Sequence, residues 1–197
     1  MVIFISTLKL VSDMPPSVNH YLSYRTVIKN GKAMAMSYKT TEAKKYQNSF
    51  TEYVKEQAKI QGWDHPLSNS QHFFVDCVFY FPRKGMDCNN YFKCLLDAIT
   101  NSQCIWVDDD VVCERVNGIY YDSQNPRIEI EISPTDYIGV FKDASQLAEF
   151  EANCFGCTRY KRNCSLLKNA KDGRIQDEIH NNTCTSYKPL KELKEKK

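Results

Sequence analysis

The sequence predicts an α+β fold, a mixed β-sheet with helices packed on it, extended by a small cysteine-rich C-terminal module. Three observations carry this. The stretch "HFFVDCVFYF" at 72–81 is rich in aromatic and β-branched residues and stops at Pro82, which marks a strand. A segment on either side of it repeats apolar residues at helical spacing. The resulting order, β-α-β-α-β-β, argues for helices laid on one mixed sheet.

In chain order, residues 2–11 read as the first strand, ended by "DMPPSVNHY", whose two prolines forbid a continuing ladder or helix. "TTEAKKYQNSFTEYVKEQAKI" reads as a helix, with Thr41 as its cap and Tyr46, Phe50 and Val54 on one face. The strand at 72–81 follows. Residues 89–101 form the second helix, with Phe92, Leu95, Leu96 and Ile99 as its apolar stripe and Asn89, Lys93 and Asp97 on another line. "VVCERVNGIYY" and "RIEIEIS" read as two strands, a hairpin or close neighbours, with Arg127, Glu129 and Glu131 alternating outward. After Pro134 the texture shifts to Lys, Asn and Cys. A boundary near 135–145 separates a main domain, residues 1–135, from a module of residues 136–197 that ends in the charged tail "KPLKELKEKK".

A chain of 197 residues supports one good core plus an appendage. With 42% hydrophobic and 12% aromatic residues it is globular rather than disordered. The net charge of +2 leaves any nucleic-acid binding to local patches. No apolar run approaches the roughly 18 residues of a membrane span. The opening "MVIFISTLKLV" lacks the basic start and cleavage site of a signal peptide, so a cytoplasmic protein without a membrane partner is expected. Nine cysteines in such a chain read as reduced thiols or metal ligands rather than disulfides.

The stretch "KGMDCNNYFKCLLDAITNSQCIWVDDDVV" at 84–112 carries the chemistry. Asp87 stands just before a helix, where an N-cap would explain it. Asp108, Asp109 and Asp110 stand at the mouth of the following strand, and neighbouring strand residues point to opposite faces. Three adjacent acids need water or cations to compensate them. Phosphodiester cleavage supplies a reason, because Mg²⁺ can assist the nucleophilic water, the pentavalent charge and the leaving oxygen. A few carboxylates from separate elements suffice to hold that ion. Lys93, one turn beyond Asn89, can place an ammonium beside such a cluster; an i,i+4 ion pair with Asp97 is the plainer explanation.

"MPPSVNHY" at 14–21, "DCNNYFKCLLDAI" at 87–99 and "IWVDDDVV" at 105–112 together resemble the RusA family of Holliday junction resolvases, over residues 2–133. The resemblance implies a homodimeric endonuclease, dependent on Mg²⁺ (or Mn²⁺), that recognises four-way DNA junctions and nicks two strands symmetrically. By position it makes Asp87 and Asp109 metal-binding carboxylates, Asp108 a neighbouring acid and Lys93 the catalytic lysine, with Asn90 and Asp97 supporting. Asp110 falls where the family carries a small or polar residue. The family's second helix-start aspartate is Asn89 here, an amide that can ligate Mg²⁺ without negative charge. A catalytically weak or inactive junction-binding protein is therefore the alternative.

Two paired cuts suit a C2 dimer. The segment 19–39 interleaves Arg25, Lys29, Lys32 and Lys39 with Tyr21, Tyr24 and Tyr38, and Asn19 opens it. As a loop it could hold phosphates and stack on unpaired bases, or it is a solvated loop with tyrosines packed on the core. In the C-terminal module, Cys154 and Cys157 form a C-x2-C pair, followed after six residues by Cys164 and after nineteen by Cys184. Four thiolates would suit a structural Zn²⁺, with His180 as a substitute ligand; an iron–sulfur cluster and unligated thiols are the other readings. Arg159, Lys161 and Arg162 lie within that loop and could touch DNA. Cys77, Cys88, Cys94, Cys104 and Cys113 read as small apolar groups of the core. A zinc-dependent regulatory protein, its acids only caps and loops, is a third reading.

Overall fold

The computed structural model describes residues 7–67, 71–162, 164–174 and 179–190. Residues 2–6 of the expected first strand and 191–197 of the tail lie outside the described residues. The chain forms two compact units, residues 1–69 with 73–134, and residues 70–72 with 135–197.

The first unit is an α+β layer built on a mixed sheet. Its strands are β1 (Leu8–Asp13), β4 (Gln71–Phe81), β5 (Val112–Tyr121) and β6 (Arg127–Ile138), in the spatial order β1-β6-β4-β5. β1 pairs antiparallel with β6, and β4 pairs parallel with β5. Alternation decides which face is buried. Leu8 and Leu10, Phe73 through Phe81 at every second position, and Ile128, Ile130 and Ile132 all point to one side and are almost fully buried. Two helices cover that side, α2 (Thr41–Ile60) with Phe50, Val54 and Ala58, and α3 (Asn89–Ser102) with Phe92, Leu95, Leu96 and Ile99. Thr51 of α2 is buried and donates to the Ala98 carbonyl at 2.8 Å, which pins the two helices together.

Three sequence expectations are corrected. The strands at 112–121 and 127–138 are not a hairpin or close neighbours, because β4 lies between them. β4 carries apolar residues on both faces, has no exposed position and takes the interior of the sheet, whereas β5, exposed at most positions, is left at the edge. The cap of α2 is Thr40 rather than Thr41: Thr40 is extended, and its hydroxyl accepts from the Ala43 amide at 3.2 Å. The segment 19–39 is not a loop. It contains a short helix, α1 (Val18–Tyr21), then β2 (Leu22–Lys29) and β3 (Lys32–Lys39), which pair with each other as a two-stranded antiparallel ribbon. Asn30 and Gly31 close it, both with positive φ (53° and 73°), the conformation that a two-residue hairpin turn requires. The Asn-Gly pair is the sequence feature that announces it.

The second unit contains α4 (Ala144–Ala152), α5 (Ser165–Lys171) and a two-residue strand pair, β7 (Ile179–His180) with β8 (Thr183–Cys184). Asp143 caps α4 by accepting from the Gln146 amide at 2.8 Å. Among the described residues, its buried core comprises Phe141, Phe150, Leu166 and Ala170, with cysteines among the side chains packed around it. Among the described residues, no helix is long and apolar enough to cross a membrane.

Candidate active site

The acid run is fixed in place by its flanks. Ile105 and Trp106 before it are fully buried, Val111 after it is nearly so, and the Trp106 indole donates to the Thr100 hydroxyl at 2.7 Å. The acids stand at the mouth of β5, as expected, but in a 3-10 turn over Asp109–Val111 that runs into Val112, so strand alternation does not govern their directions. Asp108 is extended and caps the turn through the Asp109 amide at 2.8 Å. Asp109 is half-buried, whereas Asp108 and Asp110 are exposed.

α3 supplies the opposing side. Asp87 accepts from the Asn89 amide at 3.0 Å, so the expected capping contact exists, although the residue at the cap position by backbone geometry is Cys88. Asp87 and Asn89 are exposed and Asn90 is half-buried. Cys88 is buried, and burial followed by the Asp87 charge pushes its thiol up. Lys93 reaches Asp97 at 2.8 Å and Asp109 at 3.4 Å, so the helix and the acidic turn meet across one ammonium. The hydrogen bond to Asp97 and the charges of both carboxylates hold Lys93 above the ordinary lysine value, against a smaller opposing effect of burial.

Asp97 anchors this line from beneath. It accepts from the Tyr21 hydroxyl, from Lys93, and at 3.4 Å from both Lys39 and Gln47. Burial alone would raise its carboxyl, but the bonds from Lys93 and Tyr21 and the two lysine charges hold it below the usual range. Tyr21 is itself 5% exposed, and Gln47 donates to its oxygen at 3.2 Å. Burial and then the Asp97 bond raise the phenol. Tyr21 was expected to meet DNA. Its ring is instead packed against Ala43 and Cys94, where it holds Asp97. Asn19, Arg25, Lys29 and Lys32 are exposed.

Sequence reasoning missed Gln47 and the role of Lys39. The clue to Gln47 is a polar residue in the buried stripe of α2 beside Ala43, Phe50, Val54 and Ala58. It also missed Glu114 on β5, whose carboxyl is raised by desolvation and then by the charge of Asp109.

In the second unit, Cys154, Cys157, Cys164 and Cys184 line one cavity of about 20 Å³, whereas His180 does not line it. Burial and then the neighbouring Cys164, Cys184 and Cys157 push the Cys154 thiol up to about 11. Cys157 moves the other way, its thiolate favoured by the backbone N–H groups of Lys188 and Arg159. A Cβ at Gly156 would meet the Tyr187 hydroxyl, so a larger residue in the C-x2-C turn requires that side chain to move aside. Among the described residues, no group of three or more His, Cys, Asp or Glu side chains is arranged to hold a metal ion. Neither the acidic set nor the four thiols are thus drawn into a complete ligand sphere.

The first unit thus carries an acidic turn against a helix-borne lysine on a mixed sheet. The family model described as endodeoxyribonuclease RusA matches residues 13–133. The chain belongs to the RusA family of endodeoxyribonucleases. No curated protein matches it. The matched span contains the ribbon, α2, β4, α3, the acidic turn, β5 and the first part of β6, but of β1 only Asp13, and it stops short of the cysteine-rich segment.

Proposed function

We propose that this chain is a divalent-metal-dependent endonuclease that resolves four-way DNA junctions by paired, symmetric nicks. The family implies Holliday junction endonuclease activity. The observation that carries the reading for this chain is the line Asp97–Lys93–Asp109, which sets a charged lysine against the acidic turn at an accessible surface.

The donors suit a hard cation in kind, since Asp87, Asn89, Asp108 and Asp109 offer only oxygen. Mg²⁺ commonly takes one or two carboxylates and completes its shell with waters and substrate phosphate, so three converging acids are not required. Bound by these residues, the ion would polarise a phosphoryl oxygen and acidify a bound water. Lys93 then holds a non-bridging phosphate oxygen and stabilises the charge that develops there. Asp97 keeps Lys93 protonated and aimed, and Tyr21, Lys39 and Gln47 keep Asp97 aimed. Asn19, Arg25, Lys29 and Lys32 contact the DNA. A homodimer presents two such sites in the two-fold relation that paired cuts need.

The test is cleavage of a synthetic four-way junction and of linear duplex in Mg²⁺, by the unaltered chain and by Asp109→Asn. Paired nicks near the branch, reduced on the order of 10²-fold in the variant, are expected. Full cleavage by Asp109→Asn would sink the assignment. Asn89 favours one other outcome, a silent junction binder, which would show tight binding without nicks.

We infer further that the C-terminal unit is a structural zinc module. Four thiols from three segments line one cavity, and the buried core among the described residues around them is small for a unit that folds by itself. Thiolates are the donors that Zn²⁺ takes in closed structural sites. Purified chain should carry one zinc, lost in Cys157→Ser; a zinc-free, fully folded chain would refute the module.

A further inference from the structure

Among the described residues, the ribbon formed by β2 and β3 pairs with no other strand. From Leu22 to Tyr38 none of its residues is buried. At that root the Thr40 amide donates to the Tyr21 carbonyl at 3.0 Å, the Thr40 hydroxyl to the His20 carbonyl at 2.7 Å, and Lys39 to Gln47 at 2.9 Å. A free two-stranded ribbon is marginal in water, and this one exposes large apolar side chains on both faces. Such a surface suits a partner that covers it.

Charge selects the occupant. Between Asp13 and Glu42 there is no acidic residue, while Arg25, Lys29, Lys32 and Lys39 are all present. That is the footprint of a polyanion. Register then divides the two faces, because residues directly opposite in an antiparallel pair share a side. One face carries the pairs Ser23–Tyr38, Arg25–Met36, Val27–Met34 and Lys29–Lys32, so it holds every uncommitted cation of the ribbon. Arg25 lies over the Tyr38 ring at 5.7 Å there. The other face carries Leu22–Lys39, Tyr24–Ser37, Thr26–Ala35 and Ile28–Ala33. Its one cation, Lys39, is spent on Asp97. Above a floor of small residues stand Tyr24, 72% exposed, and Ile28, 81% exposed.

Lys39 also fixes the aim of that uncharged face, because its side chain leaves the face and enters the Asp97 line. Tyr24 and Ile28 project from the same side as the catalytic lysine's anchor, about 7 and 20 Å along the strand from the root at about 3.3 Å per residue. We propose that the ribbon is the branch-reading arm of the enzyme. Its cationic face grips phosphates, while Tyr24 and Ile28 press on base faces that are exposed where duplex arms part and covered in continuous duplex. Every nucleobase has a face on which an aromatic ring can stack, so this reads structure and tolerates any sequence. The inference rests on the junction-endonuclease reading above and gives it a source of selectivity.

The experiment measures binding, with Ca²⁺ in place of Mg²⁺, to a four-way junction carrying 2-aminopurine at the branch and to linear duplex of equal length. The unaltered chain is compared with Tyr24→Ala/Ile28→Ser, with Tyr24→Phe and with Arg25→Ser/Lys29→Ser/Lys32→Ser. The apolar pair should lose about tenfold or more of the junction-over-duplex preference, together with the 2-aminopurine response, at unchanged salt dependence. Tyr24→Phe should restore both. The cationic triple should weaken junction and duplex alike and flatten the salt slope by about 3. All the substituted side chains are exposed or half-buried, so melting temperatures should hold. A junction preference that survives Tyr24→Ala/Ile28→Ser overturns the arm and leaves the endonuclease reading intact. Equal binding of junction and duplex by the unaltered chain overturns both. A drop in dimer mass with the apolar pair, at unchanged junction preference, overturns the arm in favour of a contact between copies.

Discussion

Replacing Asp97 with asparagine keeps the shape of the side chain and removes its charge. Asp97 is 17% exposed and accepts from Tyr21, Lys93, Lys39 and Gln47, so the loss is spread over several bonds. The Lys93 pair is more than half exposed on the lysine side, and the Lys39 pair is long at 3.4 Å. Solvent screening holds each to roughly 0.5 kcal/mol. The buried Tyr21 hydroxyl exchanges an ionised acceptor for a neutral one, worth about 1 kcal/mol. The total, about 2 kcal/mol, corresponds to a fall in Tm of about 4–8 °C for a chain of this size. Because the native carboxyl is held below its unfolded value of about 3.9, its stabilisation is present above that pH and lost as pH falls through the folded value. Lys93, held above about 10.4, contributes below that value and loses its share as pH rises through the raised one. Asp97→Asn should therefore flatten the acid limb of a Tm-against-pH curve. It should also slow cleavage on the order of 10²-fold by releasing Lys93, with junction affinity nearly unchanged. Thermal melts across pH 2 to 11 and single-turnover cleavage are the assays. An unchanged Tm, or an acid limb identical to that of the unaltered chain, would refute the role of Asp97 as the anchor of Lys93.

Two further outcomes follow from the donor sets. Asn89→Asp adds a charged oxygen at the start of α3, so cleavage should reach half-maximal rate at lower Mg²⁺, by about tenfold; an unchanged Mg²⁺ titration would show that position 89 does not face the ion. If the C-terminal thiols hold zinc, a thiophilic chelator should abolish the melting of that unit while leaving the first unit's transition in place. A chelator-insensitive melt would count against zinc there.

Much of the site was legible locally. Lys93 and Asp97 share one amphipathic helix, whose period shows in the sequence, and Asp87 stands two residues before its start. Trp106 and Val111 bracket the acidic turn, so its anchoring between apolar residues was visible too. The hairpin at Asn30–Gly31 was announced by its turn pair, and reading 19–39 as a loop overlooked that pair in favour of the charges around it. The two C-terminal helices, α4 and α5, went unassigned because short amphipathic stretches among cysteines carry little period.

What the sequence by itself determined is local: which segments coil, which extend, and which face of each is apolar, because periods of 3.6 and 2 are written in consecutive residues. Tertiary structure decided what lies beside what. Sheet order follows from the competition among strands for the interior, which β4 wins with apolar residues on both faces, so the expected β5–β6 neighbours are parted. Tyr21, Lys39 and Gln47 meet Asp97 across 76, 58 and 50 positions of chain. No local pattern encodes that meeting. It arises because α1, the ribbon root and α2 pack against α3, and a buried carboxylate collects whatever donors that packing brings within reach.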